Sequence, residues 1–292
     1  MDTTVWTVQR IMDWTQSYFA KAGIESARLD TEVLLAHVLK KERIFLYAHF
    51  DRPLSTDERD EFRAMVKRRA MREPVAYILG EKEFYGRPFV VNEFTLIPRP
   101  ETEHLIDGIL KWKKEGCGGE AWSGPLKVLD IGTGTGCIGI TLAAELDEVE
   151  VTAVDISQEA LHMASANADA LGVAEKIRFI QGDLLDSVKG EQFHLIVSNP
   201  PYVEEVERAN LPPDVAQFEP ESALFAGEDG MDIIRRLVPD AAAQLVSGGL
   251  FAMEFGSSQR ELVESCVGES WADYRIEQDL QGHPRALFAK RS

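Results

Sequence analysis

Two short stretches carry residue types at spacings that suit chemistry. The first is Val128-Leu129-Asp130-Ile131-Gly132-Thr133-Gly134-Thr135-Gly136, an apolar run that breaks into a glycine-rich turn. Glycines let a backbone turn tightly and approach a ligand with no Cβ in the way. Asp155 closes the next apolar run, 19 residues after Gly136. A carboxylate there can accept from both ribose hydroxyls of an adenosine. A ligand-free turn between strand and helix would account for the glycines alone, but less well for the glycines together with Asp155. Gly134-Thr135-Gly136-Cys137-Ile138-Gly139 also fits the spacing of a nicotinamide-dinucleotide loop. Against that, Asp130 would set a carboxylate beside a pyrophosphate, which is repulsive. The same carboxylate suits S-adenosylmethionine, whose ammonium and sulfonium are both positive. Asp183, followed by Leu184, is placed either to accept from an adenine amino group or to cap a helix with Gly182.

The second stretch is Asn199-Pro200-Pro201-Tyr202, directly after the apolar run Phe193–Ser198. In an open α/β sheet the carboxyl ends of strands form the ligand crevice, so this tetrapeptide is expected to face the glycine loop. Two prolines in succession lack N–H donors and leave nearby carbonyls unclaimed. The Asn199 side-chain oxygen and the Pro200 carbonyl could then grip both hydrogens of a planar NH2 group, with Tyr202 stacked on its plane. An amide or aryl-amine nitrogen is a poor nucleophile because its lone pair is delocalised. Two acceptors on its hydrogens return density to nitrogen and aim the lone pair at a sulfonium methyl. In-line displacement then needs positioning and charge stabilisation and no strong base. No Ser/His/Asp or Cys/His arrangement competes with this reading, and the six histidines are scattered without ligand spacing, so no metal is expected.

The elements that must hold these stretches are legible as alternating strands and helices. Strand-like runs are Leu126–Ile131, Val149–Asp155, Ile177–Ile180, Phe193–Ser198 and Gly249–Phe255, with helical patterns at Ile138–Glu145, Gln158–Leu171, Met231–Leu245 and Gln259–Val267. This order argues a parallel sheet covered by helices. The closing pair Tyr274–Asp279 and Arg285–Ala289 is joined by only Gly282-His283-Pro284 and its neighbours, which requires an antiparallel hairpin. With the S-adenosylmethionine reading of the glycine loop, the expected fold is α/β, a Rossmann-like methyltransferase sheet, mostly parallel with a C-terminal antiparallel hairpin, preceded by a small helical domain. In the first 73 residues, Val5, Val8, Ile11, Met12 and Phe19 recur at a helical period, as do Leu29, Val33, Leu34, Leu35, Val38 and Leu39. Phe84 to Val91 reads as a hairpin turning at Gly86, and Glu101-Thr102-Glu103 opens a helix carrying Leu105, Ile106, Ile109 and Leu110. Gly116-Cys117-Gly118-Gly119 and Ser123-Gly124-Pro125 form the loop after it. The expected division is a helical domain at 1–80, a hairpin and linker at 81–100, and a catalytic domain at 101–292.

Charge separates the two halves. The 292 residues carry a formal net charge of −18, yet residues 1–100 hold 16 basic and 15 acidic side chains while residues 101–292 hold 15 and 34. An acidic catalytic half suits a cationic cofactor and repels a phosphate backbone, so direct DNA binding is not expected. The segment from Thr56 to Arg72 gathers Arg59, Arg63, Lys67, Arg68, Arg69 and Arg72. That basic face is either a solvated helix surface or a docking face for an acidic or RNA-bearing partner. No apolar run approaches the ~20 residues of a membrane span. Met1-Asp2-Thr3-Thr4 lacks a signal-peptide pattern, and three distant cysteines, Cys117, Cys137 and Cys266, suit neither disulfides nor a closed zinc site. A cytoplasmic protein is expected, and nothing requires a dimer, so a monomer is expected.

Asn-Pro-Pro-Tyr alone is shared with adenine-N6 DNA and RNA methyltransferases. Leu96-Ile97-Pro98-Arg99-Pro100-Glu101-Thr102-Glu103 is far more specific. Together with Arg28-Leu29-Asp30, Pro74-Val75-Ala76-Tyr77-Ile78-Leu79-Gly80, Phe84-Tyr85-Gly86, Phe218-Glu219-Pro220 and Asp229-Gly230-Met231, it resembles the HemK/PrmC release-factor glutamine methyltransferases over essentially the whole chain. The resemblance implies S-adenosylmethionine as donor. It implies as substrate the Gly-Gly-Gln glutamine of bacterial peptide-chain release factors, methylated on its side-chain nitrogen N5. It places Gly132 to Gly136, Asp155 and Asn199 at the cofactor, and Asn199, Pro200, Pro201 and Tyr202 at the substrate. Some members have Trp where Leu184 stands, so an aromatic stack on adenine is not implied here. The segment Pro98–Glu103 is expected to border the cofactor pocket, or to act as a hinge. The competing readings are an adenine-N6 nucleic-acid methyltransferase and a non-catalytic module that binds release factors or ribosomes.

Overall fold

The computed structural model describes residues 5–117 and 122–292. Met1–Thr4, and Gly118 and Gly119 of the expected loop, lie outside them. Five helices come first: α1 (Val8–Lys21), α2 (Ala27–Leu39), α3 (Arg43–Ala48), α4 (Thr56–Ala70) and α5 (Val75–Leu79). A hairpin, β1 (Glu81–Phe84) and β2 (Arg87–Val90), leads to α6 (Glu103–Lys114). The alternating part follows as β3 (Leu126–Ile131), α7 (Cys137–Glu145), β4 (Val149–Asp155), α8 (Gln158–Ala170), β5 (Ile177–Gln181) and β6 (Phe193–Ser198). The chain ends with α9 (Pro213–Phe218), α10 (Asp232–Gln244), β7 (Leu245–Glu254), α11 (Arg260–Cys266), β8 (Trp271–Gln278) and β9 (Pro284–Arg291).

The chain forms two compact units, Met1–Gly80 with Pro212–Phe218, and Glu81–Leu211 with Glu219–Ser292. The 81–100 segment is thus part of the second unit and not a separate bridge. Its hairpin turns through Tyr85 and Gly86, both at positive φ, which matches the right-handed twist of the strands it joins. Phe84 and Phe89 are buried in the same apolar cluster as Leu105 and Ile106 of α6.

In the helical unit, α1 buries Val8, Ile11, Met12 and Phe19. The pattern on α2 is less simple than its apolar period: Leu29 is exposed, while Asp30, Thr31 and Glu32 are buried. Each buried acid has cationic partners. Asp30 accepts from Arg69 at 2.7 Å and from Ser26 at 2.8 Å. Glu32 pairs with Arg28 and Arg43 and accepts from the Tyr47 hydroxyl. The expected basic face of α4 is reduced accordingly. Arg69 is buried on Asp30, Arg68 forks onto Glu73 and the carbonyls of Tyr77 and Ile78, and Arg72 donates to the Ala22 carbonyl. These three fasten the unit internally, leaving Arg63 and Lys67 exposed and Arg59 half-buried on the stripe.

The sheet of the second unit has strand order β5-β4-β3-β6-β7-β9-β8. The first five are parallel neighbours, and β9 and β8 run antiparallel as the expected hairpin. Side chains alternate between two cores: Val128, Leu195 and Val197 face the α6 and α7 side, and Leu129, Ile131 and Ile196 face α10. The chain winds outward from β3 to β5 and then returns to pair β6 on the other side of β3. That reversal opens a crevice at the carboxyl ends of β3 and β6. Ile131 is in register with both Val154 and Ser198, and Ser198 with Met253. The residues that follow each, Gly132, Asp155, Asn199 and Glu254, therefore leave the sheet side by side.

Candidate active site

At that crevice lies a cavity of ≈ 230 Å³ lined by Gly132, Thr133, Gly134, Thr135, Asp155, Asp183, Leu184, Asn199 and Pro201 among others. A larger, more open hollow of ≈ 530 Å³ on the helical unit is lined by Gln9, Met12, Arg28, Tyr47 and Phe50 among others, and has no comparable backbone cradle. Size therefore does not select the site; chemistry does.

The glycine loop takes its shape from positive φ at Gly132, Gly134 and Gly136. A Cβ built at Gly132 or Gly134 would meet nothing within 4 Å, so their missing side chains leave room on the cavity side. Asp155 holds the loop: its Oδ2 accepts from Gly134 N at 2.9 Å and its Oδ1 from Ser157 N at 2.9 Å. Each oxygen keeps a further lone pair for hydroxyl donors. Burial pushes the Asp155 carboxyl up, opposed by those N–H groups.

Asp130 does not line the cavity as expected. It is fully buried behind the loop, where Oδ2 accepts from Thr133 Oγ1 at 2.6 Å and Gly139 N at 3.0 Å, while Oδ1 has no partner among the described residues. Burial raises its carboxyl to about 6, against those two donors and aided by the nearby Asp155 charge. From there its charge can reach the cavity only through the loop. Asp183 lines the wall and its carboxylate Oδ2 pairs with Arg236 at 2.8 Å, which leaves Oδ1 able to accept from another donor. The 3-10 turn after it carries no side-chain cap, so the helix-cap alternative is not what forms.

Asn199 and Pro201 contribute to the cavity wall, whereas Pro200 is buried and the Tyr202 ring packs against the α10-side core. Tyr202 is therefore not presented for stacking; its hydroxyl donates to Glu254 Oε1 at 3.1 Å. Burial, then the Glu254 charge, push the phenol well above its ordinary range. The tetrapeptide is pinned elsewhere too. Gln259 Nε2 donates to the carbonyls of Tyr202 and Asp229, and Gly230 lets the Tyr202 carbonyl come so near that a Cβ would lie 2.1 Å from it. This is the structural content of Asp229-Gly230-Met231.

The Pro98–Glu103 segment does border the cavity, through Pro98, Arg99 and Thr102. Glu219 fixes it, accepting from Arg99 at 2.6 Å and from Ile97 N at 3.2 Å, which joins the two distant sequence patterns. Residues not singled out from sequence complete the site. Ile138, Ile156 and Ile233 supply apolar wall, and Thr102 and Glu254 form a chain behind Asn199. Glu254 ends an apolar strand, and an acid at that position was the only signal available.

The arrangement fits S-adenosylmethionine. The open glycine cradle receives a backbone-hugging ligand, Asp155 suits a ribose, apolar side chains suit an adenine, and carboxylates at Asp130, Asp155 and Asp183 favour a cation.

Family models match the PrmC N-terminal domain over residues 10–80 and the methyltransferase small domain over residues 123–213. A release factor glutamine methyltransferase of Koribacter versatilis (strain Ellin345) is 42% identical over 98% of this chain and 99% of its own length. One from Rhodopirellula baltica is 40% identical over 99% and 98%. Among solved structures, the hMettl16 catalytic domain in complex with MAT2A 3′UTR hairpin 1 aligns with TM-score 0.54 at 17% identity, covering 78% of this chain and 80% of that one. That last similarity is one of fold.

Proposed function

This chain belongs to the release factor glutamine methyltransferases, and from that premise we propose that it methylates the side-chain amide nitrogen (N5) of the Gly-Gly-Gln glutamine in bacterial peptide-chain release factors. The observation that carries the reading is the placement of Asn199 at the carboxyl end of β6, on the wall of the cavity that the glycine loop bounds. When bound, S-adenosylmethionine supplies a methyl group on a positively charged sulfur. Gly132, Thr133, Gly134, Thr135 and Gly136 cradle it, Asp155 accepts from its ribose, and Asp183 and Leu184 border its adenine.

Asn199 does two things. Its Nδ2 is committed to Thr102 Oγ1 at 3.1 Å, so its Oδ1 remains as an acceptor for one amide hydrogen of the substrate. The Pro200 ring is buried, but its carbonyl, which no N–H of the following proline can engage, is the acceptor we assign to the other. With both hydrogens held, the amide plane is fixed and nitrogen density is directed along the line of attack. Pro201 contributes to the wall beside it, and Tyr202 acts by anchoring the loop to Glu254. No side chain need remove a proton before attack: as the methyl–sulfur bond breaks and the nitrogen–methyl bond forms, the nitrogen becomes cationic with both hydrogens still attached, and one of these, now acidic, leaves to solvent.

The helical unit is the part we assign to recognition of the release factor, and the cytoplasm is where enzyme and substrate would meet. Among the described residues, no helix is long and apolar enough to cross a membrane. Incubation with methyl-labelled S-adenosylmethionine and either a release factor or duplex DNA tests the reading. Label is expected in release factor; label in DNA alone would sink it in favour of adenine-N6 chemistry, which the acidic catalytic half disfavours.

A further inference from the structure

We propose that Thr102 and Glu254 are positioning residues that decide which end of the Asn199 side-chain amide faces the substrate. The inference rests on the function proposed above and extends it behind the loop that touches substrate. Asn199 is nearly symmetrical in shape: a half-turn of its side-chain amide exchanges Oδ1 and Nδ2 at little steric cost. It is not symmetrical in chemistry. Only the oxygen can accept from a substrate NH2, and the reversed amide would set donor against donor.

The hydrogen-bond chain removes that ambiguity. Glu254 is the last residue of β7 and is buried. Its Oε2 accepts from Thr102 Oγ1 at 2.7 Å, and its Oε1 accepts from the Tyr202 hydroxyl at 3.1 Å. Burial pushes the Glu254 carboxyl up, while the hydroxyls of Thr102 and Tyr202 and the Arg285 charge favour its ionised form. In that form it can only accept, so it draws the single hydroxyl hydrogen of Thr102 onto itself. Thr102 Oγ1 is then left with lone pairs alone and takes Nδ2 of Asn199 at 3.1 Å. Polarity therefore runs in one direction, from Asn199 through Thr102 to Glu254, and it ends with Oδ1 turned to the cavity. The register that sets Asn199 and Glu254 side by side at adjacent strand ends keeps the chain short. Thr102 is supplied by the 3-10 turn Pro100–Thr102 that precedes α6. This gives the Pro98–Glu103 segment a task beyond bordering the cofactor. Glu254 also holds the other end of the tetrapeptide through Tyr202, so one carboxylate orients the acceptor and anchors its loop.

The experiment uses the full chain with Thr102→Val, which keeps the shape and deletes the hydroxyl, and Thr102→Ser, which restores it. Two readouts are taken. In protein labelled with ¹⁵N-asparagine there are four asparagines, Asn92, Asn167, Asn199 and Asn210. The Asn199 side-chain NH2 pair, assigned by its loss in Asn199→Asp, should shift in Thr102→Val and return in Thr102→Ser. The Asn167 pair, held by the carbonyls of Val90 and Thr135, should stay in place. In kinetics, Thr102→Val should lower kcat on release factor by about tenfold or more. KM and cofactor affinity should change less than about threefold, because most of the protein substrate's binding lies elsewhere. Thr102→Ser should recover most of the loss. The proposal is overturned if the Asn199 signals do not move, if Thr102→Val keeps its kcat, or if Thr102→Ser is as slow as Thr102→Val. Wild-type protein that transfers no methyl group would instead overturn the functional reading, and the Asn199 resonances would still decide the orientation.

Discussion

Replacing single glycines of the loop by alanine separates the cradle from the fold. Gly134 and Gly136 both have positive φ, 54° and 81°, so either alanine adopts a left-handed backbone at a cost of about 1–2 kcal/mol. They differ in what a methyl group would meet. At Gly134 the Cβ has nothing within 4 Å, whereas at Gly136 it would fall 2.6 Å from Ile140 Cδ1 and 3.1 Å from Ala164 Cβ. Gly136→Ala therefore adds overpacking of about 1–3 kcal/mol to the backbone strain. Gly134→Ala should lose only the strain in the protein alone, but it places a methyl group on the cavity wall. If that displaces the cofactor enough to forfeit about 2.8 kcal/mol, affinity falls about 100-fold. Calorimetric unfolding gives the stability difference, and titration calorimetry with S-adenosylhomocysteine gives the affinity. The expected pattern is a crossing: Gly136→Ala the less stable, Gly134→Ala the weaker binder. A Gly134→Ala protein that binds within about threefold of wild type would refute the assignment of this loop as the cradle.

Asn199→Ala should reduce turnover by about 100-fold or more while changing cofactor affinity far less, measured by single-turnover methyl transfer beside titration calorimetry; equal losses in both would contradict the division of labour. On α4, converting Arg59, Arg63 and Lys67 to Glu should raise KM for whole release factor about tenfold without altering cofactor binding. Arg68 and Arg69 are left alone because they fasten the unit, and an unchanged KM would reduce the stripe to a solvated surface. Burial would raise the Glu32 carboxyl, but hydrogen bonds from Tyr47, Arg43 and Arg28 outweigh it and hold the group at about 2, against 4.5 when unfolded. Its contribution is present above pH 4.5 and is lost as pH falls towards 2, up to about 3 kcal/mol. Urea unfolding across that range should show a steeper acid decline in wild type than in Glu32→Gln, and parallel curves would exclude the linkage.

The sequence reveals most where one local rule decides the outcome. The alternation of apolar runs with helical periods placed every strand of the large sheet, and the short link before Arg285 could only be antiparallel. Strand ends were less legible: β7 starts at Leu245 and not at Gly249, because the left-handed Gly248 lets the strand pass an irregularity that no periodicity announces. The loops were found by residue type, but the direction of each side chain was not. Asp130 was expected to face a cation and instead braces the loop from behind. Tyr202 was expected to stack and instead anchors. Arg68, Arg69 and Arg72 looked like part of a surface and are internal fasteners. Arg69, Arg72 and Tyr202 depend on partners far away in sequence, Asp30, Ala22 and Glu254, and pairing across such distances leaves no local pattern. For the same reason Thr102 and Glu254 were invisible as parts of the site, although the segment containing Thr102 was singled out.

The account is tested most directly by locating the transferred methyl group. A release factor would be incubated with the enzyme and S-adenosylmethionine, digested, and sequenced by tandem mass spectrometry. One added methyl group is expected on the glutamine side chain of the Gly-Gly-Gln tripeptide, absent when Asn199→Ala replaces the wild-type enzyme. A methyl group on any other residue, or a release factor that stays unmodified while wild-type enzyme binds the cofactor, would contradict it.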